Sequence, residues 1–338
     1  MYELAFSHAR TALKYGLRHL GVAAGEEILI PDYICDVALH PLRQLGVRPR
    51  FYPLQSDLTP IWSSFPTQLT LSTRIVLVVH YFGQPQDIPR FQGICRENGL
   101  HLVEDNAHGY GAQLDGKPLG HFGDVGISSP RKSHPIPSGG LLHIKSGRYA
   151  VNDLRLPDFP VSPLLWRLRR ATADVVRRWG WLYRRVRKQP AYWSTSAFQE
   201  GTVQDYYMDR YSRHRLQQYQ SEQVRMHRQT IYRVWEDFVK KNTRLSSVFP
   251  RLGPGASPLV FPAYTSGAEE SRSWYDWGWR NGIDVRSWPT LPEEILHSRE
   301  DVVQRWQRLI CFPIDLGMKP DRLDSQLAAS CSFPSRMT

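Results

Sequence analysis

Cysteine is scarce in this chain: there are four in 338 residues, Cys35, Cys95, Cys311 and Cys331. None forms a C-x-x-C pair, and no Cys/His cluster has zinc spacing, which excludes a zinc ribbon or finger. So sparse a set reads as reduced thiols, not as a disulfide framework. No stretch of about 18 apolar residues exists, so no membrane-spanning helix is expected. The opening MYELAFSHARTALKYG has no apolar core behind a basic start. It does not read as a signal peptide, and a cytoplasmic location is expected. Acidic residues are in deficit: 32 Asp+Glu stand against 43 Lys+Arg, a formal charge of +11. That surplus favours anionic partners without choosing among nucleic acid, lipid headgroups and phosphorylated small molecules. There is no internal repeat and no low-complexity tract.

The chain does hold a globular composition, 41% hydrophobic and 22% charged. Its length suits two packed lobes. ARTALKYGLRHL (9–20) places Ala12, Leu13, Leu17 and Leu20 on one helical face. GEEILIP gives a short strand ending at Pro31, and DYICDVALHPLRQLG a helix interrupted near Pro41. RPRFYPL is strand-like. RIVLVVHYFG (74–83) is a continuous apolar run of the kind buried in a parallel sheet. IPRFQGICRENG is an amphipathic helix ending at Gly99. LHLVED (100–105), GDVGISS (123–129) and GGLLHI (139–144) are further strands. Residues 213–241 read as one long polar helix, and PGASPLVFPAY opens a new strand-like unit. The alternation predicts an open α/β sheet, with ligands at the carboxyl ends of its strands. The domain reading is 1–244 for a large domain, including a basic helical segment at 160–195 and the helix 213–241, and 245–338 for a small one.

Three strand ends stand out: His80–Gly83, Glu104–His108 and Ser128–Lys132. Taken alone, Asp105 reads as a capping carboxylate beside a satisfied His108, and Lys132 as a solvated lysine. SSPRKSHPIPSGG (128–140) has no period, so it is expected to be neither strand nor helix. Together, Asp105 and Lys132 are the set that pyridoxal phosphate requires. A lysine amine bonds the aldehyde, and a carboxylate keeps the ring nitrogen protonated so that the ring can accept electrons. A desolvated pocket with a nearby cation would keep the amine partly unprotonated. A helix N-terminus would hold the phosphate.

GVAAGEEILIPDY, VVHYFGQPQDI, LHLVEDNAHGYGA, LGHFGDVGISSPRK and PSGGLL occur in order, and this series resembles the DegT/DnrJ/StrS family of pyridoxal-phosphate aminotransferases over residues 9–145. Later, YSRHRLQQY to VWEDF, NGIDVRSWP and LICFPID are similar to the linking helix and small-lobe motifs. The resemblance implies a fold-type-I enzyme: an α/β large lobe with a mostly parallel seven-stranded sheet, plus a smaller C-terminal α+β lobe. It aligns Lys132 with the lysine that bonds the cofactor and Asp105 with the partner of the ring nitrogen. His108 falls near the ring hydroxyl. Ala9 and Arg10 fall at the phosphate-cradling helix start, and Ser128 or Ser129 would add a hydroxyl. Cys35 stands where many members stack an aromatic on the ring, with Tyr33 two residues before it. Where the family has Ser-Gly-Thr, this chain has His8-Ala9-Arg10-Thr11, and Arg10 could pair with the phosphate directly.

The implied reaction moves an amino group from glutamate to a keto nucleotide-sugar, in a homodimer, for polysaccharide or amino-sugar synthesis. The family also contains sugar dehydratases in which histidine replaces the lysine; Lys132 argues against that, although His134 is two residues away. The alternatives are a non-catalytic membrane- or partner-binding relative and a pyridoxal-phosphate enzyme with a non-sugar acceptor. Between Trp166 and Lys188, nine basic residues stand against Asp174 alone. This segment reads as an amphipathic helix pair with a solvated basic face, as a peripheral contact with an anionic membrane, or, with no recognised motif, as a nucleic-acid surface.

Overall fold

The continuous apolar runs become the middle of a seven-stranded sheet. The computed structural model of the chain describes residues 2–145, 154–178, 189, 192, 203–242 and 244–330. Its first strands are β1 (Tyr2–Phe6), β2 (Glu27–Pro31), β3 (Arg48–Tyr52), β4 (Thr73–Val79) and β5 (His101–Asn106). A two-strand hairpin, β6 (Gln113–Leu114) and β7 (Lys117–Pro118), precedes β8 (Val125–Ser128) and β9 (Gly140–Ile144). The large sheet has the order β1-β9-β8-β5-β4-β2-β3. Neighbours from β3 to β8 are parallel, while β9 runs antiparallel to both β8 and β1. Parallel strands covered on both faces need apolar side chains at successive positions, not alternate ones. Ile28–Ile30 and Ile75–Val79 meet that need and are buried.

Helix α1 (Ala9–His19) packs on β8 and β9. Gly16 lets it come close: a Cβ there would lie 2.7 Å from Val125 Cγ1. Helices α2 (His40–Leu45), α3 (Phe65–Gln68) and α4 (Ile88–Asn98) follow. The Asp87 side chain accepts the Arg90 N–H at 3.2 Å to cap α4, and Gly99 ends it in the left-handed region.

Four local readings are corrected. Pro41 does not interrupt a helix; it sits in the first turn of α2, behind a separate 3-10 turn at Asp36–Ala38, where its missing N–H costs nothing. The 213–241 stretch is two helices, Arg210–Gln217 and Ser221–Asn242. Asp209 starts the first by accepting the Ser212 N–H at 2.8 Å. β1 was not foreseen. The serine- and proline-rich stretch around Lys132 is not wholly irregular, since Pro130–Ser133 forms a one-turn helix, α5. Pro130 presets its first turn, and His134 is extended because Pro135 follows it.

Two compact units emerge, residues 1–160, 200–226 and 251–259 in the first, and 161–199, 227–250 and 260–338 in the second. The boundary read at 244/245 therefore falls within the 227–250 portion of the second unit. That unit has a four-stranded antiparallel sheet of β10 (Ser246–Ser247), β11 (Val260–Tyr264), β12 (Arg286–Ser287) and β13 (Leu309–Pro313), in the order β10-β11-β13-β12. Its core is aromatic: Trp235 stacks on Phe312 at 4.6 Å and donates its indole N–H to the Pro313 carbonyl at 2.9 Å. In the basic segment, Pro163–Arg178 is helical, and residues 179–188 lie outside the described ones. No described helix is long and apolar enough to cross a membrane.

Candidate active site

β5 and β8 deliver their residues side by side. Asp105 pairs with Ile127 and Asn106 with Ser128 in parallel register. β8 ends at Ser128, and α5 then carries Lys132 over the carboxyl edge of the sheet. Lys132 donates its backbone N–H to the Ser129 carbonyl at 3.0 Å.

Asp105 and Glu104 are adjacent, so they point to opposite faces of β5. Asp105 accepts the Ala107 N–H at 2.8 Å through Oδ1, and its carbonyl accepts the His80 N–H at 3.0 Å. Burial pushes its carboxyl pKa up, while the Lys132 charge and the Ala107 N–H pull against that rise. Burial likewise lowers the Lys132 pKa; Asp105 and Cys35 oppose the shift, and Arg131 and Arg10 reinforce it. Lys132 is exposed by accessible area, yet protein surrounds it closely enough to desolvate its amine. The surroundings thus favour the neutral amine although the side chain itself reaches solvent.

His108 is held from behind. Its Nδ1 accepts the Phe82 N–H at 3.3 Å, and the two rings stack 5.8 Å apart. Burial, then the Lys132 charge, drives its pKa well below 6.5. A neutral ring with Nδ1 accepting carries its proton on Nε2. The support for Phe82 is a tight loop contact: a Cβ on Gly109 would fall 2.8 Å from Gly83 Cα, so only glycine fits there.

Ala9 and Arg10 open α1. The N–H groups of Thr11 and Ala12 both return to the His8 carbonyl at 3.1 Å, and the His8 side chain does not cap the helix. The first N–H groups of a helix have no partner inside it, and they and the helix dipole favour an anion. Ser128 and Ser129 are buried beside this end, and Ser129 Oγ lies 3.5 Å from the Gly139 carbonyl. Cys35 is half-buried; burial pushes its thiol pKa up, and Lys132 pulls it down. Tyr33 is fully buried, with its ring 6.3 Å from that of Tyr81 and its carbonyl accepting the Tyr81 hydroxyl at 2.5 Å. His134 turns aside from this group: its ring sits edge-on to Tyr110 and Tyr219, and its Nδ1 is 2.9 Å from Ser133 Oγ.

Three contributors lie within the strand ends singled out in the sequence but were given no role there. Glu104, the second carboxylate of LHLVED, accepts the Gly120 N–H at 2.9 Å, those of Phe122 and Gly123, and a hydrogen bond from His80 Nε2 at 3.1 Å. His80 Nδ1 in turn accepts the Gln86 N–H at 3.2 Å. This fully buried pair anchors the loop 119–123 and the end of β4 behind Asp105. Phe82 sets the His108 tautomer. Arg131, next to Lys132, joins Arg10 in acting on His8. The signal for Glu104 and Arg131 was adjacency to residues already singled out.

An amine held below its usual pKa, a neighbouring buried carboxylate, a neutral imidazole with its proton on Nε2 and a helix start bearing Arg10 form a donor set that fits pyridoxal phosphate. Among the described residues no group of His, Cys, Asp or Glu is arranged to hold a metal.

Residues 1–153 match the DegT/DnrJ/EryC1/StrS aminotransferase family model. GDP-perosamine synthase of Vibrio cholerae is 30% identical over 134 residues, 39% of this chain and 36% of that protein. UDP-N-acetyl-3-dehydro-alpha-D-glucosamine 3-aminotransferase of Acidithiobacillus ferrooxidans is 29% identical over 119 residues, 35% of this chain and 32% of that one. The matched part thus spans about a third of the length of these curated relatives. A Streptococcus pneumoniae protein, solved in PLP, PMP and apo forms, superposes with a TM-score of 0.70 for its PLP form, at 15% identity, over 96% of this chain and 85% of that one. The fold is that of the aminotransferases it superposes on, and the N-terminal 153 residues match the DegT/DnrJ/EryC1/StrS family model.

Proposed function

We propose that this chain is a pyridoxal-phosphate-dependent aminotransferase that takes an amino group from glutamate and passes it to a keto nucleotide-sugar, for cell-surface polysaccharide or amino-sugar synthesis. The observation that carries the reading is Lys132 and Asp105 acting on each other from the ends of adjacent strands. The relatives named above favour a nucleotide-linked sugar as acceptor. When bound, the cofactor supplies an electron sink next to the substrate carbon.

Asp105 would hold a proton on the ring nitrogen; burial raises its pKa, and the Lys132 charge and the Ala107 N–H favour its ionised form. His108 would offer Nε2–H to the ring hydroxyl oxygen, because Phe82 occupies Nδ1. Lys132 Nζ would hold the cofactor through its carbonyl carbon and, when free, would take and return a proton at the substrate carbon. Ala9 and Arg10 would hold the phosphate, with the hydroxyls of Ser128 and Ser129 beside them, and Cys35 is near enough to Lys132 for each to act on the other's charge. Two such chains would form a homodimer. The test is spectroscopic: adding glutamate to cofactor-loaded protein should replace the visible absorbance band by one at shorter wavelength, and a keto nucleotide-sugar should restore it. A band inert to every amino donor contradicts the reading.

A membrane contact is a second, separable reading. Leu164, Leu165 and Leu168 of the helix Pro163–Arg178 are 66%, 56% and 54% exposed, and Arg167, Arg169 and Arg170 flank them. Leucines bordered by arginines suit an anionic lipid surface, where the long side chains reach the headgroups.

A further inference from the structure

We propose that Arg10 and Arg131 together form a dianion clamp for a phosphate monoester, the cofactor's own phosphate in the reading above, on which this assignment rests. The sequence assigned the phosphate to Arg10, the helix start and a hydroxyl of Ser128 or Ser129, and gave Arg131 no part.

The fold brings the two guanidinium-bearing segments together through Gly139 and Gly140. Gly139 donates its N–H to the Ser7 carbonyl at 2.7 Å. A Cβ on Gly140 would fall 2.3 Å from Ala9 N, and one on Gly139 would fall 3.3 Å from Arg131 N. The chain after α5 therefore presses against the start of α1, and the first turn bearing Arg10 lies beside the turn bearing Arg131. Ser129 Oγ, 3.5 Å from the Gly139 carbonyl, belongs to the same junction.

The charges agree with the geometry. His8 is held neutral, its pKa near 3, by burial and then by Arg131 and Arg10. Arg131 is itself pushed down to about 10, by burial and then by Arg10. Both guanidiniums thus act on one imidazole, and Arg10 acts on Arg131. Two like charges in a partly desolvated place raise the free energy of the site, and a dianion between them offsets that cost. Guanidinium forks match phosphate oxygens two at a time, which suits a terminal monoester. Lys132, next in the chain to Arg131, then fixes the far end of the same ligand.

The clamp also bears on Lys132. Arg131 and Arg10 both help to lower its pKa. A phosphate between them would mask that effect, so the amine is most reactive before the phosphate is seated.

Two probes separate this inference from the cofactor reading. Inorganic phosphate binding is measured by calorimetry, and pyridoxal phosphate and pyridoxal affinities by absorbance titration, for wild type, Arg10→Gln, Arg131→Gln and Arg131→Lys. Each Gln variant should lose roughly tenfold or more in affinity for phosphate and for pyridoxal phosphate, with pyridoxal affinity nearly unchanged. Arg131→Lys should recover part of the loss. Unchanged circular dichroism establishes that the variants fold. If the Gln variants bind phosphate and pyridoxal phosphate like wild type, the clamp is overturned while the cofactor reading stands. If wild type binds phosphate through both arginines but never attaches pyridoxal phosphate to Lys132, the clamp stands and the cofactor reading falls. Weakened binding of a nucleoside diphosphate alone, with both other probes unaffected, also overturns it.

Discussion

The backbone N–H of Phe82 donates to Nδ1 of His108 at 3.3 Å, and Phe82 holds a left-handed backbone, φ 52°, to do so. Few non-glycine residues adopt that conformation. The loop after β4 thereby takes Nδ1 of His108 and leaves the proton on Nε2. Replacing His108 by Leu removes that Nε2–H. The bound cofactor's visible band should shift, and turnover should fall by about tenfold or more. Because the His108 pKa lies well below 6.5, the wild-type rate between pH 6 and 8 should show no step that His108→Leu abolishes. Such a step would mean that His108 works as a cation.

Asp105→Asn separates charge from shape. The amide oxygen can still accept the Ala107 N–H that Oδ1 now takes at 2.8 Å, so the variant should fold. Without the carboxylate charge the ring nitrogen loses its proton, and kcat should fall by roughly a hundredfold or more. Normal circular dichroism with wild-type turnover would remove Asp105 from the chemistry.

Glu104 and His80 give a stability prediction. Burial alone would raise the Glu104 pKa; the hydrogen bond and charge of His80, with the Gly123 and Gly120 N–H groups, outweigh it and leave the pKa below 4.5. A carboxyl whose folded pKa is depressed stabilises the fold fully above its unfolded value, and that share is lost as pH falls through the folded value. The Glu104 contribution should therefore hold at neutral pH and disappear below about pH 4.5. Glu104→Ala leaves His80 and three backbone N–H groups unanswered and should cost about 3–5 kcal/mol at pH 7. Urea unfolding measures it, and a loss under about 1 kcal/mol would contradict the anchoring role.

The helix Pro163–Arg178 makes a binding prediction. The protein should sediment with vesicles rich in anionic lipid and not with neutral ones, and moderate salt should weaken the association. Replacing Leu164, Leu165 and Leu168 by Ser should abolish it. Equal sedimentation with both vesicle types, or none, would dismiss the contact.

Much of this was legible in the residues, for identifiable reasons. β4 and β5 were readable because parallel strands buried on both faces print unbroken Ile/Val/Leu runs, and α4 because Asp87 and Gly99 mark its ends. Lys132 and Asp105 could be singled out as candidates because Asp105 lies at the end of β5 and Lys132 follows the end of the neighbouring β8. β1 was missed because YELAF is half-exposed and depends on β9, far along the chain. α5 was missed because one turn has no period to detect. Arg131 was missed because its meaning depends on Arg10, which only folding brings near, and Glu104 because its partners come from two separate segments, the end of β4 and the loop 119–123.

The central claim is that Lys132 is the amine that captures the cofactor. The direct measurement is borohydride reduction of the pyridoxal-phosphate-treated protein, followed by peptide mass spectrometry. A reduced pyridoxyl-phosphate adduct on the peptide bearing Lys132, absent from Lys132→Ala, is the predicted result. No adduct, or one on a different lysine that persists in Lys132→Ala, would contradict it.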